Sequence, residues 1–180
     1  MLMALKKLFD LPEETKQRHT SPTPYSSYEG KHGLSSLRES FGIDYAAQPD
    51  VTLAFTNLMW PQGNQSFCET LRSMSSKILE LNFLIMKMIL ESFGVEKQYD
   101  TQVEDMTSHF RMMKYRVPPV IAPSNNETGT DTAVGLFPHT DKSRLTILFQ
   151  NEVQGLHVLS KEGNWIQVNV PEGRLCCHCW

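Results

Sequence analysis

The hydrophobic period of this chain changes once, near residue 111, and that change constrains the fold more than any other feature. Before it the dominant signal is helical. From Gln65 to Phe93, apolar residues fall at Phe67, Leu71, Met74, Ile78, Leu81, Ile85 and Met88. Steps of four and three lay one stripe along one helix face. The neighbouring positions carry no consistent charge code, so the stripe reads as a core helix against a sheet rather than a coiled-coil seam. Met74, Met86 and Met88 read as packing residues, and Gly94 as the stop. After residue 111 the apolar runs shorten to "RMMKYRV", "AVGLF", "LTILFQ", "GLHVLS" and "NWIQVNV", and "KEGN" is a hairpin turn between the last two. Consecutive strands with no helix between them predict an antiparallel sheet.

Ahead of the long helix the signals are local. "LMALKKLF" is a short helix stopped at Pro12, where a second begins with acids in its first turn. Residues 20–61 carry Pro22, Pro24, Gly30, Gly33, Gly42, Pro49 and Pro61 and read as irregular. The expected organisation is a helical region over 1–110 and a β domain over 111–170, with a polar loop, "PSNNETGTDT", inside it. With 17 Lys and Arg against 20 Asp and Glu, net charge −3, and no basic stripe, neither nucleic acid nor an anionic membrane is the expected partner. The most apolar stretch, "LNFLIMKMIL" at 81–90, is broken by Asn82 and Lys87 and falls short of the ~20 residues of a membrane span. The N-terminus lacks a signal-peptide pattern. The sequons at Asn64 and Asn126 therefore read as accidental and the expected location is cytoplasmic. Of four cysteines, Cys68 stands alone and Cys176, Cys177 and Cys179 crowd the end. No second pair of zinc ligands accompanies them, so they read as a reduced, exposed tail.

One pair carries chemistry. In "GLFPHTDKSR", His139 and Asp141 stand two positions apart, which on a strand puts both side chains on one face. An imidazole beside a carboxylate suits a divalent first-row metal. With a second histidine from another strand the set becomes the facial triad of non-haem Fe(II) oxygenases. Taken alone the triplet is weak, and Asp141 capping a turn beside a packed His139 is the plainer reading.

The surrounding text is more specific. "PHTDKSRLTILFQNEVQGLHVLSKEGNWIQV" (138–168) resembles the plant 2-oxoglutarate- and Fe(II)-dependent dioxygenases of the isopenicillin N synthase-like kind. The blocks are His139-Thr140-Asp141, the strand Leu145–Gln150 ending in Gln, Val153-Gln154-Gly155-Leu156, and Gly163-Asn164-Trp165-Ile166. The flavour is similar to the branch that makes alkenyl and hydroxyalkyl glucosinolate side chains. "LFDLPEETKQRH" resembles that family's N-terminal helical segment. The resemblance implies an α+β chain, an N-terminal helical region followed by the first strands of a double-stranded β-helix, or jelly roll. It implies Fe(II) held by His139 and Asp141, 2-oxoglutarate as co-substrate, and hydroxylation or desaturation of a small organic molecule. "FRMMKYRVPP" resembles the strand whose tyrosine holds the 2-oxoglutarate carboxylate, which assigns that role to Tyr115. Met113 stands where many members carry Asn.

Beyond "WIQVNVPEG" that family continues to a distal histidine and an Arg-x-Ser, whereas this chain reads "RLCCHCW". The expectation is a chain truncated at both ends, residues 171–180 an aberrant, frame-shifted tail, and activity small or absent. The alternative is a non-catalytic fragment whose open sheet edges pair with a full-length homologue. His178 is not expected to replace the distal histidine, since a third ligand must come from a specific facing strand. His157 is expected to point outward, and His109 to close a helix-like stretch without a partner.

Overall fold

In "LMALKKLF" the apolar residues cluster on one side, and in the computed structural model they form α1 (Leu2–Phe9), with Leu8 and Phe9 buried. The structure describes residues 1–30, 37–117 and 135–179. Gly33, Pro118-Pro119, the polar loop with Asn126, and the first two residues of the strand expected at 133–137 lie outside the described residues. After α1 come α2 (Glu13–Lys16), β1 (Tyr28–Glu29), β2 (Arg38–Asp44), α3 (Pro49–Met59) and α4 (Gln65–Ser92). There follow a 3-10 turn, α5 (Tyr99–Glu104), β3 (His109–Tyr115), β4 (Leu145–Phe149), β5 (His157–Leu159), β6 (Trp165–Gln167) and β7 (Leu175–Cys179). The chain forms two compact units, Met1–Glu80 with Asp100–His139, and Leu81–Tyr99 with Thr140–Trp180.

The first unit is built on an antiparallel sheet of order β1-β2-β3, in which Phe41 faces Met112 and Arg38 faces Tyr115. Alternation sends Phe41, Ile43 and Met112 to one side, where they join Leu8, Phe9, Phe55, Met59, Phe67 and Leu71 in one core. Aromatic rings knit it: Phe41 meets Phe55 edge-on at 5.6 Å between centroids and Trp60 meets Phe67 at 4.6 Å. Such pairs add about 0.5–1.5 kcal/mol each beyond burial. Gly42 is required by a close approach, because a Cβ there would lie 1.8 Å from the Tyr25 carbonyl oxygen.

Charge is buried in this unit too. Lys16 Nζ donates to Glu39 Oε2 at 2.6 Å, Tyr28 Oη donates to the same oxygen at 2.9 Å, and Arg116 donates to Glu39 Oε1. Burial pushes the Glu39 carboxyl up, but Lys16, Arg116 and Tyr28 together outweigh it and hold it at about 2. The same burial, with Glu39 and Glu13 alongside, pushes the Tyr28 phenol up.

These residues correct the expectation for 20–61, which is not irregular: it holds β1, β2 and α3. Strand β2, "RESFGID", escaped notice because the hydrophobic signal needs a polar, wet face. Here Arg38, Glu39 and Ser40 are as buried as Phe41, their polarity absorbed by ion pairs. The region 1–110 is therefore not purely helical, since two strands of the sheet lie within it. His109 is on β3, not at a helix end, and it has a partner: its Nδ1 lies 2.8 Å from Asp44 Oδ1. Burial raises the Asp44 carboxyl, yet the bonds from His109 and Ser26 bring it net below its usual value.

Helix α4 follows the expected bounds. Asn64 Oδ1 accepts the Phe67 N–H at 3.1 Å, an N-cap, and Gly94 takes a φ of +68° just past the end. Phe67 and Leu71 are buried, whereas Met88 is 59% exposed and Met86 is buried in its place.

In the second unit β4 pairs with β7 and β5 with β6, both antiparallel. The β5–β6 hairpin turns where expected, with Gly163 at φ +83° and Ser160 N–H donating to the Asn164 carbonyl at 2.8 Å. Gly135–Phe137, expected to be strand, is not. Leu175–Cys179 takes a place in a ladder that runs the whole length of β4, from Leu145↔Cys179 to Phe149↔Leu175. His157 is exposed, as alternation predicts.

Candidate functional site

Tyr115 ends β3, half-exposed, with its hydroxyl donating to Met113 Sδ at 3.5 Å. Burial pushes its phenol up and the nearby Arg38 and Arg111 pull it partly back, for a net rise, so the hydroxyl keeps its proton as a donor. Against its ring lies Gly135, where a Cβ would sit 2.8 Å from Tyr115 Cδ1. Only a residue without a side chain brings the backbone leading to His139 this close to the ring.

His139 is exposed, and its Nδ1 lies 2.8 Å from the Phe137 carbonyl oxygen. A carbonyl only accepts, so Nδ1 carries the proton in this contact. Metal-binding histidines are held in this way, one ring nitrogen tied to a carbonyl and the other turned to the ion.

Asp141 belongs to the second unit. Its Oδ2 accepts from Thr146 Oγ1 at 2.6 Å and lies 3.3 Å from His178 Nε2. Thr146 on β4 and His178 on β7 are register partners, so the pairing of these two strands delivers both donors to one carboxylate. A carboxylate accepts, hence His178 Nε2 carries the proton in this contact and orients Asp141. Composition at the chain end concealed this role. The signal that could have shown it is the pairing of "LTILF" with "LCCHC" in a register that sets Thr146 beside His178.

Imidazole and carboxylate are ligand types that a first-row divalent ion takes. Among the described residues no group of three or more His, Cys, Asp or Glu side chains is placed to hold a metal. Cys68, Cys176 and Cys177 are free thiols, and burial together with Cys176 pushes the Cys177 thiol up, away from the thiolate a metal requires.

Residues 107–179 match the 2OG-Fe(II) oxygenase superfamily. A probable 2-oxoglutarate-dependent dioxygenase of Arabidopsis thaliana, AOP1.2, is 39% identical over 166 residues, 92% of this chain and 49% of that protein. The Arabidopsis 2-oxoglutarate-dependent dioxygenase AOP3 is 27% identical over 93% of this chain and 61% of its own length. The chain spans about half the length of the first curated relatives it matches. Among solved structures, dioxygenase for auxin oxidation 1 from Arabidopsis, in complex with 2-oxoglutarate, superposes with a TM-score of 0.84 at 23% identity, covering 98% of this chain and 62% of that one. The rice dioxygenase for auxin oxidation superposes with a TM-score of 0.74 at 26% identity over 99% of this chain and 55% of that one. The α+β fold expected from the sequence, part of an oxygenase built around a double-stranded β-helix, is the fold these neighbours share. No described helix is long and apolar enough to cross a membrane.

Proposed function

We propose, for a chain that belongs to the 2OG-Fe(II) oxygenase superfamily, a part in the 2-oxoglutarate- and Fe(II)-dependent hydroxylation or desaturation of a small plant secondary metabolite. His139 and Asp141 are the metal ligands in this reading, and the Tyr115 hydroxyl donates to a carboxylate of 2-oxoglutarate. The observation that carries it is the tether of His139 Nδ1 to the Phe137 carbonyl at 2.8 Å, which fixes the orientation of the ring. Two ligands without a third hold a metal weakly. Loss of a mere orienting partner costs ~10–100-fold in affinity or activity, and loss of a ligand costs more. With no third ligand among the described residues, the reading expects these 180 residues by themselves to turn over slowly. The free thiols of Cys68, Cys176 and Cys177 suit a reducing, cytoplasmic setting.

The test is succinate release from 2-oxoglutarate by the purified chain with Fe(II) and O₂. The reading expects release no faster than in His139→Ala; turnover at a rate ordinary for an oxygenase contradicts the impairment.

A second reading has its own observation. Leu159, Trp165 and Ile166 on the β5–β6 hairpin are all more than half exposed, and its outer edges pair with nothing among the described residues. Such an edge suits pairing with a full-length homologue. Size-exclusion of the chain mixed with one tests it, and separate elution of the two counts against it.

A further inference from the structure

Both faces of the β1-β2-β3 sheet carry ion-paired charge, but one of them leaves guanidinium donors unmet. On the core side Glu39 meets Lys16 and Arg116. On the other, strand alternation gathers Glu29, Arg38, Ser40 and Asp44 with His109, Arg111 and Tyr115. There Arg38 Nη2 and Arg111 Nη2 donate to one oxygen, Glu29 Oε2, at 2.7 and 2.6 Å. Ser40 Oγ donates to the same oxygen at 3.1 Å and accepts from Arg111 Nη2 at 3.2 Å. The Arg111 guanidinium also lies over the Tyr25 ring, 5.5 Å from its centroid. Two guanidinia thus converge on one carboxylate oxygen, while Asp44 on the same face is engaged by Ser26 and His109.

The donors on this face are not all met. The Arg38 side chain is 3% exposed, yet its Nη1 is buried without a hydrogen-bond partner among the described residues, and so is Arg111 Nε. A guanidinium cannot relieve this by losing a proton. Buried donors left unmet are costly and rare in folded proteins, and those on ions more so. Two unmet N–H donors, on guanidinia that meet at a single oxygen, match an anion with two acceptor oxygens.

We propose that Arg38 and Arg111 form a receptor for one carboxylate of a small ligand, on the sheet face that carries Tyr115. Its donors belong to β2 and β3 alone, so it needs no metal. The carboxylate has two sources, 2-oxoglutarate or an organic acid that is the substrate, and the chemistry of recognition is the same for both.

The experiment uses the full 180-residue chain with ¹⁵N-labelled arginine and a chelator present to exclude binding through metal. It is titrated separately with 2-oxoglutarate, with phenylacetate, and with phenylacetamide as the uncharged control. The Arg111 Nε–H resonance should shift saturably with a carboxylate and not with the amide. Arg111→Gln should weaken binding roughly 10–100-fold, the worth of a charged hydrogen bond, and Arg111→Lys should fail to restore it, because an ammonium lacks the planar fork. Should Arg111→Gln not fold, the shift in the wild-type chain decides alone. Saturation by phenylacetate assigns the receptor to a substrate acid, and saturation by 2-oxoglutarate alone assigns it to the co-substrate. No saturable shift with either acid, or the same shift with phenylacetamide, overturns the proposal.

Discussion

The two units of this chain solve the same problem, burying a strand, to different degrees. In the first, β2 is buried at every position but its last, apolar residues on one side and ion-paired polar ones on both. In the second, β6 is exposed at all three of its positions, and the buried apolar residues are few, Met86, Leu145 and Val170. The difference teaches where stability resides. The first unit has a core of aromatic contacts and internal ion pairs, whereas the second is held chiefly by backbone ladders, which contribute modestly once exchange with water is counted.

The comparison can be broken most severely at Glu39. Glu39→Ala leaves Lys16, 4% exposed, without its principal counter-charge, and should destabilise the first unit by about 3–5 kcal/mol in urea unfolding followed by circular dichroism. A change under about 0.5 kcal/mol, the range of an ordinary surface substitution, would show that the ion pair is not a support of the core. Gly42→Ala comes next. Its Cβ would meet backbone, the Tyr25 carbonyl, which cannot swing aside, and overpacking of this kind costs about 1–3 kcal/mol.

Acid sharpens the same contrast. Glu39 ionises at about 2 in the folded chain against its ordinary 4.5. A carboxyl held low when folded contributes stability above the unfolded value and loses it as pH falls through the folded one. The first unit should therefore weaken between pH 4.5 and 2, with Asp44 adding in the same direction, and Glu39→Gln should flatten that loss. The smallest effect is expected in the second unit, where Trp165→Ala, at a half-exposed position, should change stability by about 0.5 kcal/mol or less. A larger loss would reveal a core there that the burial pattern does not show.

How legible each part was in the sequence follows the same division. Helices α1 and α4, strand β3 and the β5–β6 turn announce themselves, because each has a one-sided apolar pattern or a glycine with a positive φ. Strand β2 was invisible since its polar residues are buried by partners distant in sequence: Lys16 lies 23 residues from Glu39, and Arg111 lies 82 from Glu29. The Asp44–His109 contact, 65 residues apart, was hidden for the same reason. At the candidate site, spacing and flanking blocks suggested His139, Asp141 and Tyr115 as the residues to test. The tether of His139 to its own backbone, the fit of Gly135 on Tyr115 and the reach of His178 to Asp141 are facts of conformation and register that composition does not encode.

The central proposal is that His139 and Asp141 serve as metal ligands, and that His178, 3.3 Å from Asp141, orients one of them. Titration of the chain with Co(II), read by its visible spectrum, tests it most directly. The account predicts weak binding that vanishes in His139→Ala and in Asp141→Ala and persists about 10-fold weaker in His178→Ala, the cost of an orienting partner. Binding that survives His139→Ala and Asp141→Ala unchanged would contradict it.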